Sequence, residues 1–215
     1  MKKVRCLVTA GPTREHFDPV RFISNPSSGK MGAALARACL GLGWEVSLVM
    51  GPCGAEAPEG AELVRVTSAE DMLRETSARF GSCDILIMTA AVSDMRPREK
   101  SPSKVKKESL SMTVEFEPTP DILKTLSARK TGQVLVGFAA ETNDVLAYAR
   151  GKLKSKNLDA IAANSVASPA SGFASDFNAI TLIFKDGEEI PLPLAPKPEL
   201  AEAVAAILAR KFFRD

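Results

Sequence analysis

Histidine is almost missing from this chain of 215 residues, where His16 stands alone. A metal site that needs two histidines is therefore excluded, and a Ser-His-Asp or Cys-His arrangement has only one possible base. Aromatic residues make up only 6%, with a single Trp and a single Tyr. Cys6, Cys39, Cys53 and Cys83 show no paired spacing that would suit zinc or a redox dithiol, so they are expected as reduced thiols in or near the core. No apolar run approaches the ~20 residues of a membrane helix, and Met1-Lys-Lys leads into a short apolar stretch rather than the long one of a signal peptide. The expectation is a cytoplasmic protein with no membrane partner. An excess of one charge is lacking as well, since 28 Lys and Arg face 26 Asp and Glu for a formal net charge of +2. A near-neutral chain argues against a nucleic-acid partner.

What is present suffices for a globular fold. With 45% apolar and 25% charged residues, disorder as the main state is excluded. At about 150 residues per domain, one domain over residues 1–215 is expected. At this size folding buries roughly 70% of the unfolded surface, so neither disulfides nor a structural metal is needed.

Val4 to Ala10, Glu45 to Met50, Leu63 to Val66, Asp84 to Ala90, Val134 to Phe138 and Ala160 to Ala163 are candidate buried strands. Between them apolar residues recur at helical spacing, as in Met31, Ala34, Leu35, Ala38 and Leu42, or Ile122, Leu123 and Leu126. Strands alternating with helices predict an α/β fold, doubly wound around a mainly parallel sheet. Ala179 to Phe184 and Glu189 to Leu194 flank Asp186-Gly187, which suits a type I′ turn and predicts an appended antiparallel hairpin. A closing helix is expected over Lys197 to Phe213, so hairpin and helix occupy about 178–213.

Two segments fall outside this alternation: Gly11 to Gly29, and the polar stretch Met95 to Ser109. Each follows the carboxyl end of a predicted strand, where ligands of open parallel sheets collect. The first ends in Ser27-Ser28-Gly29-Lys30 and opens a helix, so its N–H groups, hydroxyls and glycine could hold a phosphate. It is neither a Walker A loop nor a dinucleotide fingerprint, and an ordinary capped helix remains the alternative. Arg96, Arg98, Lys100, Lys104, Lys106 and Lys107 crowd the second segment, with Pro97 and Pro102 preventing a continuous helix. A solvated loop is one reading, and a movable flap over about 95–109 that brings lysine to a polyphosphate is the other. Beyond Gly137 to Thr142, where Asn143 or Thr142 could cap the next helix, Lys152 and Lys156 share one helical face; they suit either a ligand or the helix dipole.

Taken together, TAGPTRE at Thr9 to Glu15, DPVRFISN at Asp18 to Asn25, SSGKMG at Ser27 to Gly32, TAAVSD at Thr89 to Asp94, KVKK at Lys104 to Lys107, PDIL at Pro120 to Leu123 and GFAAET at Gly137 to Thr142 resemble the phosphopantothenoylcysteine synthetases in order and spacing. The resemblance runs from about Val4 to Phe184 and implies a Rossmann-like nucleotide-binding ligase domain. It further implies that 4′-phosphopantothenate and L-cysteine are joined in coenzyme A synthesis. CTP would first give an acyl-cytidylate and pyrophosphate, and the cysteine amine would then displace CMP. By the same resemblance, the nucleotide contacts fall on Met88, Thr89, Ala90, Asp94, Lys104, Pro120, Asp121, Ile122, Leu123, Phe138, Lys152 and Lys156. Asn25 would handle the acyl-nucleotide and Lys104 the departing pyrophosphate, making these two the catalytic candidates. Arg21, Asn25, Ser27, Ser28, Gly29 and Lys30 are candidates for binding substrate or phosphate. Magnesium is expected with the triphosphate, although its ligands are unknown from the sequence, and a homodimer is implied.

Three positions depart from the family pattern: Thr119 replaces a frequent asparagine, Pro26 a polar or basic residue, and Ser93 an alanine. Many bacterial members are fused behind a flavin-dependent decarboxylase. This sequence has no room for one, so a stand-alone or excised ligase with no flavin, and a separate decarboxylase as a possible partner, is expected. Tyr148 and Lys152 have the Tyr-x-x-x-Lys spacing of short-chain reductases, which keeps a reductase as an alternative, together with a non-catalytic nucleotide sensor.

Overall fold

Alternating burial explains the first strand. In β1 (Arg5–Ala10), Cys6, Val8 and Ala10 face one apolar layer while Leu7 faces another, as a strand covered on both sides requires. The structure, a computed structural model, describes residues 3–107, 113–141, 143–165 and 175–213. After β1 come the short strands β2 (Arg14–His16) and β3 (Phe22–Ser24), then α1 (Lys30–Gly41), β4 (Glu45–Met50), β5 (Glu62–Arg65) and α2 (Ala69–Phe80). Ser68 and Asp71 close a capping box at the start of α2. The chain continues through β6 (Ile85–Met88), β7 (Met95–Pro97), β8 (Phe116–Pro118), α3 (Ile122–Ser127), β9 (Val134–Glu141), α4 (Val145–Ser155) and β10 (Ala160–Ser165). It ends with β11 (Phe177–Phe184), β12 (Glu189–Pro196) and α5 (Lys197–Phe212).

Eight strands form one sheet in the order β12-β11-β10-β9-β6-β1-β4-β5. Pairing is parallel from β5 to β10 and antiparallel through β11 and β12, giving the expected Rossmann-like α/β sheet with its C-terminal hairpin. One face packs against α1 and α5, where Leu35, Cys39, Leu200, Val204 and Leu208 are buried. The other packs against α2, α3 and α4 through Met72, Phe80, Ile122, Leu126 and Leu153. No described helix is long and apolar enough to cross a membrane. The cysteines are free thiols, three of them buried, and burial pushes Cys83 up to about 12.

Four local expectations are corrected. The β11–β12 turn is not type I′, because only Gly187 takes positive φ, at 93°, and Asp186 does not. The Gly187 N–H donates to the Phe184 carbonyl at 3.0 Å, and Phe184 N–H donates to Glu188 at 2.9 Å, so the hairpin loop is longer than two residues. The segment from Gly11 to Gly29 contains the β2–β3 arm. The segment Met95 to Ser109 begins as a strand, β7, paired with β8. β8 went unpredicted because three residues of the pattern Phe-Glu-Pro carry too little periodicity to register. Finally, Asp144 precedes α4 with φ 44° and no side-chain cap, so Asn143 does not cap it, and Thr142 lies outside the described residues.

The contact that seats α1 is at Gly32, where an added Cβ would lie 2.5 Å from Ala10 Cβ and 2.5 Å from Thr89 Oγ1. We expect Gly32→Ala to lower the unfolding free energy by about 1–3 kcal/mol through overpacking. Gly41→Ala, where a Cβ meets nothing within 4 Å, serves as control. Equal urea midpoints for the two variants would refute this account of how the helix is seated.

Candidate functional site

β1 has β4 on one side and β6 on the other, so the connections leaving β1 and β6 diverge and open a crevice at their carboxyl ends. A cavity of about 460 Å³ occupies that place. Its wall beyond β6 is made by Met88, Thr89, Ala90 and Asp94. Thr9 fixes this wall: its carbonyl accepts from the Thr89 hydroxyl at 2.5 Å, and its hydroxyl accepts from Ala90 N–H at 3.2 Å.

The start of α1 supplies a second wall through Asn25, Ser27, Ser28, Gly29 and Lys30. Gly29 precedes the helix with φ 76°, a conformation that suits glycine, and no side chain caps α1. An added Cβ there would lie 2.4 Å from Cys53 Sγ, so the backbone approaches that thiol closely. Asn25 is held in place rather than free to swing: its Nδ2 donates to the carbonyls of Ala91 at 3.2 Å and Val92 at 3.0 Å.

Pro120, Asp121, Ile122 and Leu123 form the third wall, and Phe138 from β9 and Lys152 and Lys156 from α4 and its end complete it. Asp121 accepts from Lys124 N–H at 3.0 Å and is ion-paired with Lys156 at 3.0 Å. Burial acts to raise the Asp121 carboxyl, but these two partners outweigh it and hold it below the ordinary carboxylate range. Ser93 and Thr119 also line the cavity, and the Thr119 hydroxyl donates to the Ser93 carbonyl.

Sixteen of the candidate positions thus line one cavity, whereas Lys104 and Arg21 do not. Lys104 is exposed. Arg21 is turned toward the protein: Nη1 pairs with Asp18 at 3.3 Å and Nη2 donates to the Val105 carbonyl at 3.2 Å. Part of the positive charge of this segment is neutralised, since Arg96 pairs with Glu117 and Glu70, and Arg98 with Glu115. Sequence reasoning missed Asn164, Asn178 and Lys197 as cavity-lining residues. For Lys197 a signal existed: it stands three residues before Leu200 and four before Ala201, on the apolar stripe of α5. Tyr148 is 57% exposed and does not line the cavity, so the reductase alternative loses its tyrosine.

Residues 1–211 match the model of the DNA/pantothenate metabolism flavoprotein C-terminal domain. The chain belongs to that family. Among curated proteins, the coenzyme A biosynthesis bifunctional protein CoaBC of Bacillus subtilis (strain 168) is 47% identical over 206 residues, which cover 94% of this chain and 51% of that protein. CoaBC of Escherichia coli (strain K12) is 43% identical, over 94% of this chain and 50% of its own length. This flavoprotein-family chain therefore spans about half the length of the curated relatives it matches. A crystal structure of the C-terminal domain of CoaBC superposes with a TM-score of 0.81 at 41% identity, covering 98% of both chains.

Asp18 anchors the segment that carries Lys104. Its buried carboxylate accepts from the N–H groups of Val20 and Arg21, both at 2.8 Å, and of Val105 at 3.3 Å. Burial pulls its pKa upward, yet these N–H groups and Arg21 bring it below the usual value. A lowered folded pKa means that the anchor contributes fully above the unfolded value of about 3.9 and is lost as pH falls through the folded value. Asp18→Asn should therefore expose Lys104, Lys106 and Lys107 to trypsin at neutral pH faster than in the parent. Identical cleavage patterns in the two proteins would show that Asp18 does not hold the segment.

Proposed function

We propose that this chain joins 4′-phosphopantothenate to L-cysteine, with CTP as the activating nucleotide, through an acyl-cytidylate. The observation that carries the reading is the family match over residues 1–211 together with the gathering of the motif residues around one cavity. The coenzyme A role in the names of the relatives supports it. The chemistry asks for little from the protein beyond alignment and charge. The substrate carboxylate is itself the nucleophile toward the α-phosphate, and the cysteine amine is the nucleophile in the second step, so no enzymic nucleophile is needed. His16 is consistent with this, as it does not line the cavity but packs on Phe22 with ring centroids 5.1 Å apart.

In this reading the nucleotide lies along Met88 to Ala90, Asp94, Pro120 to Leu123 and Phe138, with Lys152 and Lys156 as cations beside it. Asn25 keeps the 91–92 peptides in place at the reacting centre, and Lys104 reaches the triphosphate only if its segment folds inward. Magnesium would neutralise charge on the triphosphate. No cluster of three or more His, Cys, Asp or Glu suited to a metal is present among the described residues, so the donor set fits an ion held mainly by phosphate oxygens and water, with Asp94 and Asp121 as carboxylates that line the cavity. A second copy of the chain and a decarboxylase are the proposed protein partners. A cytoplasmic setting accords with the four free thiols.

With CTP, magnesium, phosphopantothenate and cysteine, we expect pyrophosphate, CMP and the thiol amide in equal amounts, without added flavin. Formation of CDP and inorganic phosphate instead would overturn the cytidylate route. Nucleotide binding without any pyrophosphate release would favour a sensor. Asn25→Asp places a carboxylate against the carbonyls of Ala91 and Val92, and we expect product formation to fall by about 10² or more, as on loss of an oriented hydrogen-bond donor. A folded variant working at the parental rate would remove Asn25 from the mechanism.

A further inference from the structure

The β7–β8 pair leads out to the segment that carries Lys104 and back again, and its base lies at the cavity. Met95 stands opposite Pro118 at this base, followed outward by Arg96 opposite Glu117 and Pro97 opposite Phe116. The residues that flank the base, Asp94 before β7 and Thr119 after β8, both line the cavity. Asp94 ends the wall that begins at Met88, and Thr119 precedes the wall made by Pro120 to Leu123.

Thr119 bonds across this gap twice. Its N–H donates to the Asp94 carbonyl at 3.1 Å, which carries the ladder of β7 and β8 one step further toward the cavity. Its hydroxyl donates to the next carbonyl back, that of Ser93. Ser93 is only 5% exposed; its N–H donates to the Thr13 hydroxyl at 2.9 Å, and its own hydroxyl donates to the Met95 carbonyl at 2.8 Å. The backbone on both sides of Asp94 is thereby fixed. Among the described residues no hydrogen bond or ion pair holds the Asp94 carboxylate itself. Where that carboxylate stands in the cavity therefore follows from the backbone, and the Thr119 hydroxyl is part of what fixes it.

We propose that Thr119 is a positioning residue for nucleotide binding, whose hydroxyl ties the wall ending at Asp94 to the wall that opens α3 and so sets the space between them. The nucleotide in that space is the one of the ligase reading, on which this role rests, whereas the tie between the walls does not depend on it. A valine here keeps the size of the side chain and the peptide N–H. It leaves the buried Ser93 carbonyl without its side-chain donor, a loss that shifts an equilibrium about tenfold. Moving one wall against the other weakens binding of the ground state and the transition state alike, so the effect belongs in KM rather than kcat.

Two measurements on the full chain test this: steady-state pyrophosphate release at varied CTP, and amide hydrogen exchange of the ligand-free protein. Thr119→Val should raise KM for CTP about tenfold, with kcat within about twofold of the parent and KM for cysteine unchanged. Exchange should quicken in peptides covering 92–98 and 116–123. Thr119→Ser, which restores a hydroxyl, should recover most of both effects. Thr76→Val is the control, because the buried Thr76 hydroxyl donates to the Met72 carbonyl inside α2, away from the cavity, and KM for CTP should stay at the parental value. An unchanged KM in Thr119→Val refutes the proposal, as does a fall in kcat alone. A raised KM with parental exchange also overturns it, since the hydroxyl then acts by touching the nucleotide. Should the parent release no pyrophosphate from CTP, the ligase reading falls and exchange alone decides the tie: faster in Thr119→Val supports it, and equal rates refute it. If Thr119→Val does not fold by circular dichroism, Thr119→Ala is judged by the same criteria.

Discussion

Everything at the ligand end of this sheet depends on how closely α1 can approach the ends of β1 and β6. Gly32 permits that approach, lying against Ala10 and Thr89 with no room for a methyl group. The same contact sets the height of the α1 N-terminus above the sheet, and with it the positions of Ser27 to Lys30. Thr9 then ties the two strand ends together through both its carbonyl and its hydroxyl. The cavity is thus bounded by groups whose spacing follows from backbone packing rather than from side-chain choice, which gives the preorganisation that activation chemistry requires.

Buried side chains satisfy the irregular loops around this frame. Glu15, 1% exposed, accepts from the first N–H of α2 at 2.7 Å, and Ser93 N–H donates to the Thr13 hydroxyl at 2.9 Å. Asp18 serves three further N–H groups. Peptide groups that lie outside any ladder need such partners, because each unpaired buried one would be costly. The long connection after β1 therefore behaves as a strut that links α2 and the Lys104 segment to the cavity.

The main strands and helices were legible because each has enough length for its period to show, as in β1 or α5. The short arms were not, since Arg14–His16, Met95–Pro97 and Phe116–Pro118 owe their pairing to neighbours distant in sequence. The candidate site was readable as far as motif residues lie at strand and helix ends. Its blind spots have physical causes. Arg21 looked available until its partners Asp18 and Val105 were seen, and Lys197 was hidden inside the apolar stripe of a helix that reads as closing structure.

The hairpin that ends the sheet also decides how the molecule can meet another chain. β12 is an edge strand, and Pro191 and Pro193 remove the donors at alternate positions along it. At the opposite edge β5 has only four residues, and two of them are the charged Glu62 and Arg65. Neither margin is a template for strand addition. Fusion of this eight-stranded sheet, edge to edge, with that of a neighbouring molecule into a continuous ribbon is thereby disfavoured.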